Sequence, residues 1–134
     1  MKTYNLNYEG YFVDKDDLPH YAGLYSVYTG STDTTKREVY LRELIYIGES
    51  EDIYGRHHPH NKQAEFDAEL RKGEILIYAT AHHAEDRVRI QDALIYKVKP
   101  KLNGLATQSF NHPETELFVT GKHEFIPYHF KITK

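Results

Sequence analysis

The chain has 134 residues, no cysteine and a formal net charge of −3 at pH 7, a charge that argues against a protein that coats nucleic acid through bulk attraction. Without cysteine it has no disulfide, zinc–thiolate site or thiol nucleophile. No signal-peptide-like run and no stretch near the ~20 apolar residues of a membrane span is present, so we expect one cytoplasmic domain over residues 1–134, without membrane contact.

The first predicted elements are the two strands of a hairpin, which follow a polar, aromatic leader with no assigned element. Residues 24–28 alternate as a strand does, residues 30–37 are a polar loop, and residues 39–48 are the returning strand. Ser50, with two acidic residues behind it, is a helix start, and that helix is short because Pro59 disfavours helical geometry in the residue before it.

Two more helices and a third strand follow. Residues 61–72 place apolar side chains four apart and end at Gly73, as a helix does. Residues 74–81 are the third strand, and residues 84–99 are a longer helix closed by Pro100. The tail is typical of one more hairpin, with its turn near residues 120–121.

The longer helix carries one polar residue in an apolar stripe. Val88, Gln91, Ile95 and Val98 are spaced by three, four and three residues, so this stripe is expected to face the sheet. Gln91 is then either a core-edge glutamine satisfied by its neighbours or part of a functional site.

Five short motifs together resemble the GIY-YIG nuclease superfamily, in the order in which that family presents them. They are Gly23-Leu24-Tyr25, Tyr46-Ile47-Gly48, Arg56, His60, and a helix ending in Lys99-Pro100-Lys101-Leu102-Asn103. The resemblance covers residues 22–103. It implies an α/β (α+β) domain with a small three-stranded antiparallel sheet flanked by helices.

The resemblance also implies a set of residues around the scissile phosphate. These are Tyr25, Tyr46, Arg56, His60, Gln91 and Asn103. The family binds its catalytic metal, Mg²⁺ or Mn²⁺, through a glutamate, and Gln91 stands at that position. Asp92 does not replace it, since neighbouring residues point about a hundred degrees apart around a helix. Glutamine supplies only a dipole, so metal binding is expected to be weak or absent.

The same residues have alternative interpretations. His57, His58 and His60 could form a transition-metal cluster or could simply be exposed, whereas His60 as a general base or proton relay agrees with the family spacing. With twelve tyrosines in the chain, Tyr25 and Tyr46 could be ordinary strand aromatics. Which tyrosine would orient water and which would bind phosphate stays open.

Basic residues predict local contacts with DNA phosphates. They lie in the first hairpin loop and along the longer helix and its exit: Lys36, Arg37, Arg87, Arg89, Lys97, Lys99 and Lys101. The hairpin loop would be a natural specificity element. The alternative for the helix residues is an ordinary solvated face.

The functional prediction is a metal-dependent endonuclease acting on double-stranded DNA, of the restriction type or another small type, impaired by Gln91. The main alternative is a non-cleaving nucleic-acid-binding module, and a third is a fold retained for protein–protein contact. A homodimer is considered only because cutting two strands often uses two sites.

Overall fold

The computed structural model describes residues 1–133. In this part of the chain six strands are interspersed with three α-helices and two 3-10 helices. The strands are β1 Lys2–Phe12, β2 Gly23–Asp33, β3 Glu38–Ser50, β4 Ile75–His82, β5 Thr115–Gly121 and β6 His129–Ile132. The α-helices are α1 Ile53–Arg56, α2 Gln63–Ala68 and α3 Arg87–Val98, and 3-10 helices span Lys15–Asp17 and Lys101–Thr107. No helix in this part of the chain has the length and apolar character that crossing a bilayer would need.

The prediction of a small three-stranded antiparallel sheet is wrong. The predicted hairpin of β2 and β3 is confirmed, and β4 pairs antiparallel with β2. The sheet, however, has six strands in the order β3-β2-β4-β1-β5-β6. It is also mixed, because β1 pairs parallel with β5 while every other pair is antiparallel.

Strand β1 lies in the segment to which the sequence analysis assigned no element. Its alternate residues Tyr4, Leu6 and Tyr8 are buried, while the residues between them are exposed. This period of two buries one face of the strand. Tyr4 lies opposite Leu117 of β5 in the parallel register, so the two ends of the sequence share one core.

The two faces of the sheet are covered by different helices. Helix α3 packs on one face with Ile90 and Leu94, in the core that also includes Tyr4. Ile53 of α1 and Phe66 of α2 pack on the other face, with Tyr25 of β2. Because successive side chains of a strand point to opposite faces, the motif tyrosines lie beneath α1 and α2 rather than beneath α3.

The apolar stripe predicted for α3 is wrong in phase. Val88 is 54 % exposed, and the buried residues Ile90, Ala93 and Leu94 lie outside the predicted stripe; of its four members only Ile95 is buried. The buried face is centred one position before Gln91, which leaves Gln91 half-buried at its border.

Two predicted boundaries also differ from the structure. The first hairpin has a four-residue turn, at 34–37, because β2 continues to Asp33 and its carboxylate accepts from the backbone N–H groups of Thr35 and Lys36. Helix α2 ends at Ala68 rather than at residue 72.

Candidate functional site

Four ring side chains meet on the sheet face that α1 and α2 cover. They are Tyr25, Tyr46, His57 and His60, hereafter the tyrosine–histidine cluster. The ring centroids of Tyr25 and Tyr46 lie 6.2 Å apart, and the His60 ring lies 5.9 Å and 5.7 Å from these two rings. Strands β2 and β3 supply the tyrosines, and the segment between α1 and α2 supplies His60.

Gly48 allows the Tyr25 side chain to lie flat against β3. The two residues are opposite each other in the hairpin register, and a Cβ atom at Gly48 would stand 2.3 Å from the Tyr25 hydroxyl oxygen. A larger residue at position 48 would therefore displace the phenol. This contact gives a physical reason for glycine in the Tyr46-Ile47-Gly48 motif.

The hydrogen bonds of His60 define its tautomer. The backbone N–H of Lys62 donates to Nδ1 at 3.0 Å, so Nδ1 carries no proton. Burial, with Arg56 and Lys62 nearby, lowers the pKa of His60 from 6.5 to about 4, so the ring is neutral at pH 7. The proton is therefore on Nε2, which donates to the Tyr25 hydroxyl oxygen at 2.8 Å.

Tyr25 is then left with its own hydroxyl proton to donate. Burial raises the pKa of Tyr25 well above its usual value, the neighbouring Tyr46 raises it further, and Arg56 opposes the rise. The phenol stays protonated at neutral pH. Because His60 has no free lone pair, it orients Tyr25 and does not serve as a general base in this arrangement.

His57 is the most buried member of the tyrosine–histidine cluster. It is 0 % exposed, and neither ring nitrogen has a hydrogen-bond partner among residues 1–133. Its ring meets those of Tyr25 at 4.5 Å and Tyr78 at 5.2 Å, both edge to face. Burial first, and then His60, lowers the pKa of His57 to about 3. The ring therefore stays neutral and acts as a packing group beneath Tyr25.

Two cations border the tyrosine–histidine cluster. Arg56, at the end of α1, acts electrostatically on Tyr25, and its Nη2 atom donates to Asn61 Oδ1 at 2.9 Å. The ammonium group of Lys62 lies 5.9 Å from the centre of the Tyr46 ring and 3.2 Å from a Glu65 carboxylate oxygen. The cluster thus has a positively charged border, as binding of an anion requires.

Gln91 has no hydrogen bond or ring contact with the tyrosine–histidine cluster in the described part of the chain. Its Nε2 atom donates to Asp92 Oδ1 at 3.3 Å, and the other Asp92 oxygen lies 2.7 Å from His112 Nε2. No group of three or more His, Asp or Glu side chains in residues 1–133 is arranged to hold a metal ion. A neutral amide beside an already partnered carboxylate does not fit the oxygen-ligand set of Mg²⁺ or Mn²⁺.

The three histidines predicted as an alternative metal cluster likewise do not converge: His58 contacts Asp16 and stacks on Tyr54.

Asn103 supports the edge of the sheet next to the Tyr46-Ile47-Gly48 motif. Its Oδ1 accepts from the Ile47 N–H at 3.0 Å, and its Nδ2 donates to the Ile47 C=O at 2.9 Å. Both groups of Asn103 are thereby used within the protein. The residue acts on the site by holding β3, and does not reach the tyrosine–histidine cluster.

Several predicted DNA-contacting residues have internal partners. Arg89 donates to Thr115 Oγ1 and to the carbonyl of Glu114, and Lys99 Nζ donates to the carbonyl of Thr107. Arg87 forms an ion pair with Glu49, and Lys101 forms one with Glu69. The three remaining side chains are exposed: Lys36, Arg37 and Lys97. The structure does not gather the seven residues on one surface with the tyrosine–histidine cluster.

Glu49 and Lys62 were missed as candidates by the sequence analysis. Glu49 directly follows the Tyr46-Ile47-Gly48 motif, and Lys62 lies two residues after His60. Their position next to motif residues was the available signal.

Comparison with known proteins gave no match: no family model, no curated protein and no solved structure matches the chain.

Proposed function

We propose that the tyrosine–histidine cluster and Arg56 form the phosphodiester-binding site of a GIY-YIG-type endonuclease that acts on DNA. The observation that carries the proposal is the meeting of Tyr25, Tyr46 and His60 on one face, with Arg56 close enough to act on Tyr25. These are four of the residues that the motif resemblance selects.

The proposed roles follow from burial and hydrogen bonding. Arg56 is half-buried and presents a planar fork of donors, which suits phosphate oxygens. Tyr25 is buried and held by His60, so it is a fixed neutral donor beside Arg56. Tyr46 is half-buried and its hydroxyl has no hydrogen-bond partner in residues 1–133, so it is the phenol placed to orient water or substrate.

Hydrolysis would require more than these groups. A water oxygen bonds to phosphorus as the bond to the leaving oxygen breaks, one water proton goes to that oxygen, and negative charge builds up on the phosphate. Arg56 and Lys62 would stabilise part of that charge. Since position 91 holds an amide, we expect the chain as given to bind DNA and to cleave it slowly.

Nucleic-acid binding without cleavage is the second candidate function. The observation that favours it is the Gln91 amide, which donates to Asp92 instead of offering a carboxylate to a cation. Both candidates use the same phosphodiester site. The variant Gln91→Glu distinguishes them, because the added carboxylate should produce cleavage only if the protein is an endonuclease.

The proposal is tested by the binding of a fluorescently labelled DNA duplex, followed by anisotropy across a series of salt concentrations. Arg56→Ala should weaken binding about tenfold and make the salt dependence shallower by about one unit of logarithmic slope. The matched control is Arg71→Ala, which removes an exposed arginine after α2. Equal affinities for the two variants would mean that Arg56 does not hold phosphate, and the proposed site would be wrong.

A second arm of the test addresses the tyrosines. Tyr46→Phe keeps the ring and removes the hydroxyl, and Tyr40→Phe does the same at an exposed position of the same strand. Binding should weaken only in Tyr46→Phe, by about threefold to tenfold, as expected for one lost hydrogen bond. If both variants bind like the unmodified chain, Tyr46 has no role in substrate binding.

A further inference from the structure

The ring of His58 lies between two oxygen atoms that can only accept hydrogen bonds. Its Nδ1 atom lies 2.6 Å from the Tyr54 carbonyl oxygen, and its Nε2 atom lies 2.8 Å from Asp16 Oδ1. A carbonyl and an ionised carboxylate have no proton to donate, so both ring nitrogens must donate. Only the doubly protonated ring has two donors. His58 is therefore an imidazolium in this arrangement, whereas His60, which accepts from a backbone N–H, is neutral.

The surroundings of His58 favour the cation. The ring stacks on Tyr54 with centroids 3.9 Å apart, and an aromatic face attracts a cation. Three further titratable side chains lie nearby: His57, His20 and Asp52. The hydrogen bond to Asp16, and after it the bond to the Tyr54 carbonyl, raise the pKa of His58 above 6.5, although burial and Lys15 oppose the rise.

His58 closes a turn of the chain that contains Arg56. The Tyr54 carbonyl accepts from the His58 ring at 2.6 Å and from the backbone N–H of His57 at 3.1 Å. Arg56 lies within this turn, and His57 packs beneath Tyr25. A bond made by the His58 ring therefore acts on the chain segment that carries one cluster residue and the bordering arginine.

Asp16 anchors this turn to another part of the fold. It belongs to the 3-10 helix Lys15–Asp17, which lies between β1 and β2, so its ion pair with His58 joins that connection to the end of α1. If the ring loses one proton, one nitrogen presents a lone pair to an acceptor oxygen, and one of the two hydrogen bonds is lost. The turn then loses either its closure or its anchor.

We infer that His58 is a positioning residue whose imidazolium, held by Asp16, fixes the turn that carries Arg56 and makes phosphodiester binding at the proposed site dependent on pH. Binding is strongest while the ring is protonated, and it weakens as the pH rises through the raised pKa of His58. The inference rests on the proposed function, since it concerns the same site.

The first experiment measures the protonation of His58 in the full chain by long-range ¹H–¹⁵N nuclear magnetic resonance. Both ring nitrogens should carry protons at pH 6.5, and one proton should leave only at higher pH. Asp16→Asn should lower the pH of this titration, because it removes the carboxylate that stabilises the cation. A neutral His58 ring below pH 6.5 in the unmodified chain would overturn the inference.

The second experiment measures duplex affinity by fluorescence anisotropy at constant ionic strength. Between pH 6.5 and about 9 the affinity should fall about fivefold, as expected for one lost hydrogen bond. Asp16→Asn should abolish the fall and keep the higher affinity, because its amide can donate to the bare Nε2 of the neutral ring while Nδ1 still donates to Tyr54.

Two alanine variants complete the comparison. Asp16→Ala should bind weakly throughout this pH range, since it leaves the His58 ring without its anchor. Asp17→Ala is the matched control, because it removes an exposed carboxylate of the same 3-10 helix and so changes the net charge equally. It should keep both the affinity and the pH dependence of the unmodified chain.

The outcomes separate this inference from the proposed function. Equal affinity of the unmodified chain across the pH range, or a fall that persists in Asp16→Asn, would overturn the inference and leave the proposed function standing. A persistent fall would mean that the charge of His58, and not its positioning of the turn, acts on the duplex. If duplex binds at no pH, the proposed function is wrong and the inference is wrong with it.

Discussion

The side chain of Asn103 pairs with both backbone groups of Ile47, accepting from its N–H at 3.0 Å and donating to its C=O at 2.9 Å. Strand β3 is an edge strand, so its outward backbone groups have no neighbouring strand. A single amide thus replaces a strand at this position. The arrangement fixes β3 between Tyr46 and Gly48, the two residues that shape the site.

Asn103→Ala should therefore destabilise the protein by about 2 kcal/mol, since each of two hydrogen bonds contributes about 1 kcal/mol. Urea unfolding followed by circular dichroism measures this change. Asn111→Ala is the matched control, because Asn111 is exposed and its single hydrogen bond is 3.5 Å long. A change below about 0.5 kcal/mol in Asn103→Ala would show that the pairing does not stabilise the edge.

The hydrogen bonds of His60 predict a specific nuclear magnetic resonance signature. Long-range ¹H–¹⁵N spectra should show the neutral ring with its proton on Nε2, and this pattern should persist down to a pH near 4. His58 provides the internal contrast, because its hydrogen bond to Asp16 raises its pKa. A proton on Nδ1, or titration of His60 near pH 6.5, would contradict the assignment of Tyr25 as the acceptor.

Acid should destabilise the protein through its two buried neutral histidines. The unfolded chain binds protons near pH 6.5, whereas His60 and His57 bind them only near 4 and 3 in the folded state. Between these values the unfolded state carries more protons, so stability falls as pH falls, by about 1.4 kcal/mol per pH unit for each histidine. Chemical denaturation between pH 7.5 and about 4.5 measures this slope.

His57→Phe isolates one of these two groups. The variant removes two unpartnered nitrogens and keeps an aromatic ring, so it should be near neutral at pH 7.5 and relatively more stable at lower pH. Its advantage over the unmodified chain should grow by about 1.4 kcal/mol per pH unit below 6.5. Parallel slopes for the two proteins would mean that His57 is accessible to protons in the folded state.

If the protein is an endonuclease of the proposed kind, Gln91→Glu should give it metal-dependent DNA cleavage, although Gln91 has no contact with the tyrosine–histidine cluster within residues 1–133. Glutamate and glutamine are nearly isosteric, so the main change is an added negative ligand for Mg²⁺ or Mn²⁺. We expect a gain of about a hundredfold or more in duplex or plasmid cleavage, and calcium should support binding better than cutting. The exposed Gln108→Glu is the matched control.

Two further variants connect that gain to the proposed site. Tyr46→Phe and Arg56→Ala, each made in the Gln91→Glu background, should remove most of the new activity. If Gln91→Glu folds, binds duplex and still does not cut with any divalent metal, cleavage is not the function of this site, and binding without cleavage replaces it.

The sequence predicted the elements whose signals are local. The hairpin of β2 and β3 shows two-residue alternation, and its short motifs placed Tyr25 and Tyr46 on adjacent strands, as in the structure. The sequence also predicts helix α3, but the predicted buried face is wrong, because Val88 is apolar and yet 54 % exposed. One exposed valine was enough to shift the predicted face.

The rest of the sheet depended on partners far away in sequence. Tyr4, Leu6 and Tyr8 alternate clearly, yet nothing local indicates that β1 pairs with β4 and β5. The connection between Arg87 and Glu49 likewise joins residues 38 positions apart. Such contacts are decided by tertiary packing, so motif spacing within residues 22–103 could not predict them.

The position of β1 between β4 and β5 has a consequence for how the protein folds. The hairpin of β2 and β3 can form as soon as it is synthesised, whereas the β1–β5 pairing joins residues 113 positions apart, such as Thr3 and Glu116. Loop closure of that length makes this pairing a late and slow event. Until β5 is synthesised, the apolar row of β1 lies beside an open strand edge, an arrangement that favours aggregation of incomplete chains.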